Sequence, residues 1–182
     1  MEKITNIIAA RAGGKTERCH GIPHQDSYSV AAHSWGVAML MLQMWPEDFP
    51  RLGPYCLSHD VPEYWSGDVP SPTMRYVPGL REQLGEIEDK LNRRVGLPAE
   101  GDLSPEDHLK VKCCDWLEFY FWCREQLLMG NRFALEAMKE VTLYLNTKEL
   151  PQPAASIWEV VQDLPDERFL ARQSGVMKEI CK

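Results

Sequence analysis

Two histidines and two aspartates, spread over three stretches of the chain, carry side chains that bind transition metals. His59 and Asp60 are adjacent, so an imidazole nitrogen and a carboxylate oxygen can reach the same ion. His33 and Asp115 each lie within an apolar stripe at helical spacing. A buried unpaired carboxylate costs several kcal/mol, so Asp115 needs a metal, a cation or several hydrogen bonds.

Each of these residues also has an ordinary structural explanation. A histidine–aspartate (HD) pair is usually a surface turn, and a single histidine on an apolar face, such as His33, is usually a hydrogen-bonded core residue. Asp115 could pair with Lys112, which precedes it by one helical turn. Together, however, the four residues supply two nitrogen and two oxygen ligands, which predicts a divalent-metal site. Such ligands without a thiolate are compatible with Mn²⁺, Co²⁺, Fe²⁺, Ni²⁺ and Zn²⁺.

Apolar residues at helical spacing predict that helices position these side chains. Ser29 can cap a helix that contains His33, and Ser104 followed by Pro105 predicts the start of a long helix that contains Asp115. The predicted helices comprise approximately residues 3–11, 30–44, 50–59, 62–65, 80–95, 105–129, 131–150, 154–164 and 166–180. No repeat or alternating strand pattern is present, so we expect an all-α fold, a single compact helical bundle over residues 1–182.

Two segments between the predicted helices contain residues that favour loops. The pair Gly13-Gly14 predicts a chain reversal with left-handed backbone conformations, followed by a polar loop up to Tyr28. The segment DVPSPT, residues 68–73, contains two prolines and predicts a stiff loop.

Composition restricts the class of protein. The chain has 182 residues, of which 44% are hydrophobic and six are tryptophan, as expected for one globular domain. A net charge of −7 disfavours attachment to a nucleic acid or an anionic membrane. No apolar run approaches the ~20 residues of a membrane span, and the N-terminus lacks a signal peptide, so we expect a cytoplasmic protein. No cysteine pair has CxxC spacing, so we expect reduced, mostly buried thiols at Cys19, Cys56, Cys113, Cys114, Cys123 and Cys181.

Four motifs resemble those of HD-domain phosphohydrolases. They are AAHS (31–34), HDVPE (59–63), GDVPSP (67–72) and KCCD (112–115), and together they match the H…HD…D signature of that superfamily. The GDVPSP element behind HDVPE is typical of the bacterial 5′-deoxynucleotidase branch. The segment GGKTERCHGI, residues 13–22, is similar to phage dATP triphosphohydrolases (DatZ-like). The resemblance extends from about Arg11 to Trp122.

This resemblance implies hydrolysis of dATP to deoxyadenosine and triphosphate, through attack of a metal-activated water on the α-phosphorus. The four residues His33, His59, Asp60 and Asp115 would bind the catalytic ion. That ion would be Zn, Co or Mn, with a further Mg or Mn accompanying the triphosphate. Glu63 would pass a proton to the leaving 5′-oxygen, and Asp68 would position water or an additional metal. The residues implied to contact the nucleotide are Arg18, Lys15, His20, Ile22, Arg75 and Lys112.

The resemblance also implies a particular substrate preference. Ile22 would lie against the C2 edge of adenine, where an apolar side chain leaves a 2-amino group without an acceptor, so dATP would be preferred to 2-amino-dATP. The partner would be a small-molecule deoxynucleotide, not a nucleic acid or a membrane. The chain would form a homo-oligomer, a dimer or a hexamer, in the cytoplasm of the host if a phage encodes it. The alternatives are a 5′-deoxynucleotidase acting on monophosphates, or a degenerate HD module that serves as a regulatory or binding subunit.

The sequence departs from the deoxynucleotidase pattern at two positions. Those enzymes usually place a tryptophan directly after the arginine to stack on the base, whereas Cys19 follows Arg18 here. They commonly have a glutamate before the first metal-binding histidine, and Ala32 in that place changes the groups that orient His33. The aromatic residues of segment 116–122 stand at helical spacing, which predicts a core or a subunit interface and not a base-binding platform.

Overall fold

The computed structural model describes residues 1–171, which fold into ten α-helices without a β-strand. The helices are α1 (Glu2–Gly13), α2 (Val30–Met44), α3 (Phe49–Cys56), α4 (Glu63–Ser66), α5 (Ser71–Tyr76), α6 (Leu80–Val95), α7 (Pro105–Leu128), α8 (Leu135–Thr147), α9 (Ala154–Gln162) and α10 (Asp166–Leu170). Short 3₁₀ helices at Glu100–Asp102 and Arg132–Ala134 precede α7 and α8. The predicted all-α fold is confirmed. Cys181 and the last predicted helix beyond residue 171 lie outside the described residues.

The helices that carry His33 and Asp115 begin at the serine caps that the sequence predicts. The side chain of Ser29 accepts a hydrogen bond of 3.3 Å from the Ala32 amide at the start of α2. Ser104 accepts one of 3.2 Å from the amide of Asp107 at the start of α7. Each cap satisfies an amide that the helix itself leaves unpaired, so it fixes where the helix begins and which side chains face inward.

Helices α2 and α7 pack against each other and, with α3, α8 and α9, enclose the main hydrophobic core. Val37 and Met41 of α2 and Leu117 of α7 are completely buried in it. The aromatic residues of segment 116–122 pack into this core or into a smaller cluster around Tyr28. They therefore hold the bundle together, as their spacing predicts.

Three predicted boundaries are wrong. Segment 68–73 is not entirely a loop, because α5 starts at Ser71 and Pro72 lies in its first turn, where the missing proline amide breaks no helical hydrogen bond. The third helix ends at Cys56, three residues before His59, and consecutive turns carry the chain from there to α4. The helix predicted over 131–150 is divided into a 3₁₀ turn and α8.

The prediction for the glycine pair is also wrong. Gly13 is the last residue of α1, and Gly14 has a right-handed helical φ of −63°. Glycine is required at position 13 for space, since a Cβ there would lie 2.7 Å from Val61 Cγ1 and 2.9 Å from the Val61 carbonyl oxygen. Because Val61 directly follows Asp60, this close approach packs α1 against the turn that carries the HD pair.

We expect Gly13→Ala to destabilise the protein by about 1–3 kcal/mol, since the added methyl group would overlap backbone atoms that cannot move aside. Gly85→Ala is the matched control, because a Cβ at this position of α6 meets no atom within 4 Å. That substitution should stabilise the helix by about 0.5–1 kcal/mol. Urea unfolding of both variants measures the difference, and equal stability of Gly13→Ala and the parent would contradict the packing argument.

Within residues 1–171, no helix is long and apolar enough to span a membrane. The five cysteines in this range are all free thiols, and four of them are buried, as the sequence predicts. Burial raises the pKa of Cys19, Cys56 and Cys113 to about 12, so these thiols are protonated at neutral pH.

Candidate metal centre

The four predicted metal ligands lie together where α2 and α7 meet the turns after α3. One ligand atom each from His33, His59 and Asp60 lies within 4.8 Å of the others. Asp115 reaches the same place from α7, with its Oδ1 atom 3.2 Å from His33 Nε2. Side chains that are distant in sequence therefore converge on a volume that one ion can occupy.

The two imidazole rings present their Nε2 atoms to this volume. His59 Nδ1 donates a hydrogen bond of 2.9 Å to the Cys56 carbonyl oxygen, and His33 Nδ1 contacts the carboxylate of Glu118. Both Nε2 atoms are buried and have no hydrogen-bond partner among the described residues. A buried nitrogen without a hydrogen-bond partner lowers the stability of the folded protein. A neutral imidazole that is protonated on Nδ1 can instead bind a metal ion through Nε2. These residues fit a divalent ion.

Burial and nearby charges act differently on the two rings. Burial lowers the pKa of His59, so its ring is neutral at physiological pH. The carboxylate of Asp60 is mostly buried, yet the Arg18 guanidinium group that contacts it lowers its pKa, so it remains ionised. Lys112 and His33 likewise lower the pKa of Asp115 against the effect of burial. The neutral ring of His59 and the ionised carboxylates of Asp60 and Asp115 are therefore in the state that metal binding requires. Against the effect of burial, the carboxylates of Asp115 and Glu118 raise the pKa of His33, so a metal ion would compete with a proton for this ring.

The pairing of Asp115 with Lys112, which the sequence left open, is present. Lys112 Nζ lies 3.0 Å from Asp115 Oδ2, while Oδ1 faces His33. The carboxylate of Asp115 thus contacts Lys112 through one oxygen and faces the candidate metal volume with the other. Lys112, which the resemblance assigns to the nucleotide, is therefore also paired within the protein.

Arg18 lies at the edge of the same cluster. Its guanidinium group contacts Asp60 and stands 5.5 Å from the centre of the Tyr28 ring. A backbone hydrogen bond of 2.9 Å from the Arg18 amide to the Tyr28 carbonyl oxygen fixes the segment. Its Nε atom is buried without a hydrogen-bond partner in the described part of the chain, so the guanidinium fork retains a donor beside the candidate ion.

Glu63 and Asp68 are placed at either end of the short α4 region. Glu63 is the first residue of α4, and its buried Oε2 atom has no hydrogen-bond partner within residues 1–171. Burial and the nearby charge of Asp60 raise the pKa of Glu63 to about 9. Asp68 accepts a hydrogen bond of 2.7 Å from the Cys19 amide, which ties the Asp68 segment to the residue next to Arg18.

The other predicted nucleotide contacts are less close to this cluster or are already engaged. Lys15 is exposed, and His20 Nδ1 lies 3.7 Å from Asp68 Oδ2. Arg75 forms an ion pair with Glu140 of α8. Ile22 is partly buried against the cluster of Tyr28, Trp122 and Cys123.

Sequence reasoning missed three residues at this site. Glu118 contacts His33, and Tyr28 donates a hydrogen bond of 2.5 Å to the same glutamate oxygen. A glutamate one turn after Asp115, on the same side of a largely apolar helix, was the available signal. Glu88 of α6 is the third, because burial and the charge of Asp60 raise its pKa to about 7.

Comparisons with solved structures identify proteins that have a similar fold. The structure is similar to the cyanophage S-2L HD phosphohydrolase (DatZ), solved with dA and one catalytic Zn²⁺ ion, at a TM-score of 0.56 and 21% identity over 85% of this chain and 90% of that one. A conserved hypothetical protein from Pyrococcus furiosus is similar at a TM-score of 0.55 and 24% identity, over 79% of this chain and 94% of that one. The fold is therefore that of HD phosphohydrolases, and the predicted resemblance is confirmed.

Sequence relatives agree with this class. The dATP triphosphohydrolase of Salmonella phage PMBT28 is 28% identical over 121 residues, which are 57% of this chain and 58% of the relative. A 5′-deoxynucleotidase of Photobacterium profundum is 31% identical over 120 residues, or 59% of this chain and 60% of the relative. The chain thus matches about three fifths of the length of these relatives. No protein-family model matches it.

Proposed function

We propose that this chain is a metal-dependent HD phosphohydrolase that acts on a deoxynucleotide. The observation that carries the proposal is the pair of buried Nε2 atoms of His33 and His59, which make no hydrogen bond within residues 1–171 and face the carboxylate of Asp60. Relatives named as deoxynucleotide hydrolases, and a solved neighbour with the same fold and a catalytic zinc, support it. His33, His59, Asp60 and Asp115 would hold the ion.

A divalent ion in this place would lower the pKa of a water molecule and polarise a phosphoryl oxygen. The protein's own carboxylates explain why a phosphate needs such an ion. They belong to Asp60, Asp68 and Asp115. Arg18 and Lys112 are the arginine and the lysine that contact this group within residues 1–171, and each is already paired with one of the aspartates. A phosphate anion would be repelled without additional positive charge.

Glu63 is suited to handle the proton of the reaction. Its buried Oε2 atom has no partner among the described residues, so it can accept a proton from water or donate one to the leaving 5′-oxygen. Asp68 would position water or an additional Mg or Mn. Arg18 would contact the phosphate through donors that Asp60 does not use.

The more specific proposal is hydrolysis of dATP to deoxyadenosine and triphosphate. Lys15, His20 and Arg75 would contact the rest of the nucleotide, and the surface of Ile22 that is not buried would face the C2 edge of adenine. A phage dATP triphosphohydrolase among the relatives supports this substrate. We further propose that the protein acts in the cytoplasm as a homo-oligomer.

One observation favours the alternative, a 5′-deoxynucleotidase that acts on monophosphates. Lys112 is paired with Asp115, and Arg75 is paired with Glu140, so two of the cations assigned to a polyphosphate are engaged. Of the lysines and arginines assigned to the polyphosphate besides Arg18, this leaves Lys15, which makes no ion pair within residues 1–171. A substrate with a single phosphate needs fewer such partners.

The substrate prediction is a preference of the metal-loaded protein for dATP over dAMP, dGTP and 2-amino-dATP. An unpaired 2-amino group costs roughly 1–3 kcal/mol, which corresponds to about ten- to hundredfold in kcat/KM. Measured kcat/KM for the four nucleotides tests this, and Ile22→Ala should reduce the discrimination between dATP and 2-amino-dATP. Ile157→Ala, also partly buried but on α9, is the control that should leave that ratio unchanged. Faster cleavage of dAMP than of dATP would assign the protein to the monophosphate alternative.

A further inference from the structure

The ring of His33 is held on the side away from Asp60 by two side chains. The Glu118 carboxylate contacts His33 Nδ1, and the Tyr28 hydroxyl lies 3.1 Å from the same nitrogen. The hydroxyl is also 2.5 Å from Glu118 Oε2. His33, fully buried in α2, therefore has its two nitrogens in different surroundings, one facing a carboxylate and one facing the candidate metal volume.

The hydrogen-bond donors and acceptors in this arrangement determine which tautomer the neutral ring adopts. An ionised carboxylate only accepts hydrogen bonds, so Glu118 receives one from the Tyr28 hydroxyl and one from His33 Nδ1. When the ring of His33 is neutral, its proton is then on Nδ1, and Nε2 carries a lone pair directed toward Asp60 and Asp115. The other tautomer would leave two acceptors in contact at Nδ1 and a hydrogen atom where the ion must bind.

The surrounding structure keeps Glu118 and Tyr28 in place. The Tyr28 ring is stacked on Trp122, with ring centres 4.5 Å apart and planes inclined by 13°. On the opposite helix, a Cβ at Gly36 would lie 2.7 Å from Glu118 Cγ, so glycine at this position leaves room for the glutamate to cross from α7 to α2. His59 has no such charged support, because its Nδ1 donates to a neutral backbone carbonyl.

We propose that Glu118 and Tyr28 are positioning residues that fix His33 in its metal-binding tautomer and orientation. The proposal rests on the metal-dependent function given above. A carboxylate behind a metal-binding histidine also strengthens the histidine as a ligand, and loss of such a partner typically weakens metal affinity by 10- to 100-fold.

The test is the affinity of the purified protein for Mn²⁺, measured by equilibrium dialysis. Glu118→Gln keeps the shape of the side chain, but its amide can donate to Nδ1 and favour the wrong tautomer, so Mn²⁺ should bind about 10–100-fold more weakly. Saturating Mn²⁺ should restore most of kcat, because Glu118 does not touch the reacting groups. Tyr28→Phe keeps the ring on Trp122 and removes only the hydroxyl, so a smaller loss of about 2–10-fold is expected.

Asp26→Asn is the matched control. Asp26 lines the same surface cavity as Glu118 and Tyr28, but its carboxylate makes no hydrogen bond within residues 1–171. This variant removes the same charge and should bind Mn²⁺ like the parent.

Parental Mn²⁺ affinity in folded Glu118→Gln would overturn the proposal. If that variant does not fold, parental Mn²⁺ affinity in Tyr28→Phe would overturn it. If the parent protein itself bound no metal, the proposed function would fail, and this inference with it.

Discussion

His33→Ala and Asp60→Asn are each expected to abolish metal binding and hydrolysis while leaving a helical protein. Each substitution removes a ligand from a cluster in which His33, His59 and Asp60 approach within 4.8 Å, and the remaining groups cannot complete the coordination. Asn at position 60 keeps the shape of the side chain that contacts Arg18 but removes its charge. This is the largest effect that the site predicts.

Metal content and thermal unfolding measure this prediction. A ligand at 100 times its Kd stabilises the folded state by about 2.7 kcal/mol, so Mn²⁺ or Zn²⁺ should raise the melting temperature of the parent and not that of the two variants. His108→Ala is the control, because His108 lies near the start of α7 and contacts Glu100 instead of the cluster. Full metal content and activity in both ligand variants would disprove the assigned site.

The second large effect is expected from Glu63→Gln, which should keep the metal and lose about 10²–10⁴-fold in kcat. Gln preserves the size of the side chain but cannot transfer a proton. Glu63 lies one turn after Asp60, outside the three-residue metal cluster, so metal affinity should change little. The effect should therefore fall on turnover.

Glu86→Gln provides the comparison, since Glu86 is exposed on α6 and pairs only weakly with Lys90, at 3.7 Å. It should hydrolyse substrate at the parental rate. Parental turnover in Glu63→Gln would show that another group moves the proton, and Asp68→Asn would then be the next variant to measure. Loss of bound metal from Glu63→Gln would instead place Glu63 among the ligands.

Local sequence signals predicted much of this fold because they depend on neighbouring residues. Ser29 and Ser104 cap the helices that their side chains indicate, and the apolar spacing around Val37 and Leu117 marks the buried faces of α2 and α7. Gly13 was misinterpreted for the opposite reason. Its requirement for glycine comes from Val61, which is distant in sequence, and not from the local backbone conformation.

At the candidate site, too, the sequence predicted some features, whereas others depend on contacts between residues distant in sequence. The types of residue at 33, 59, 60 and 115 predict a metal site, because two histidines and two aspartates together supply nitrogen and oxygen ligands that divalent ions bind. The roles of Glu118 and Tyr28 could not be predicted, since a glutamate on a long helix is ordinarily solvated. Only the packing of α7 against α2 brings Glu118 to His33, 85 residues away. In the same way, the pairing of Arg75 with Glu140 follows from contact between α5 and α8.

Removal and return of the metal tests the central claim most directly. The purified parent protein is treated with a chelator and dialysed, its metal content is measured, and release of deoxyadenosine from dATP and from dAMP is followed before and after Mn²⁺, Co²⁺ or Zn²⁺ is added back. We expect the stripped protein to be inactive and activity to return in proportion to bound metal. Undiminished hydrolysis by metal-free protein, or no hydrolysis of either nucleotide by fully loaded protein, would contradict the account.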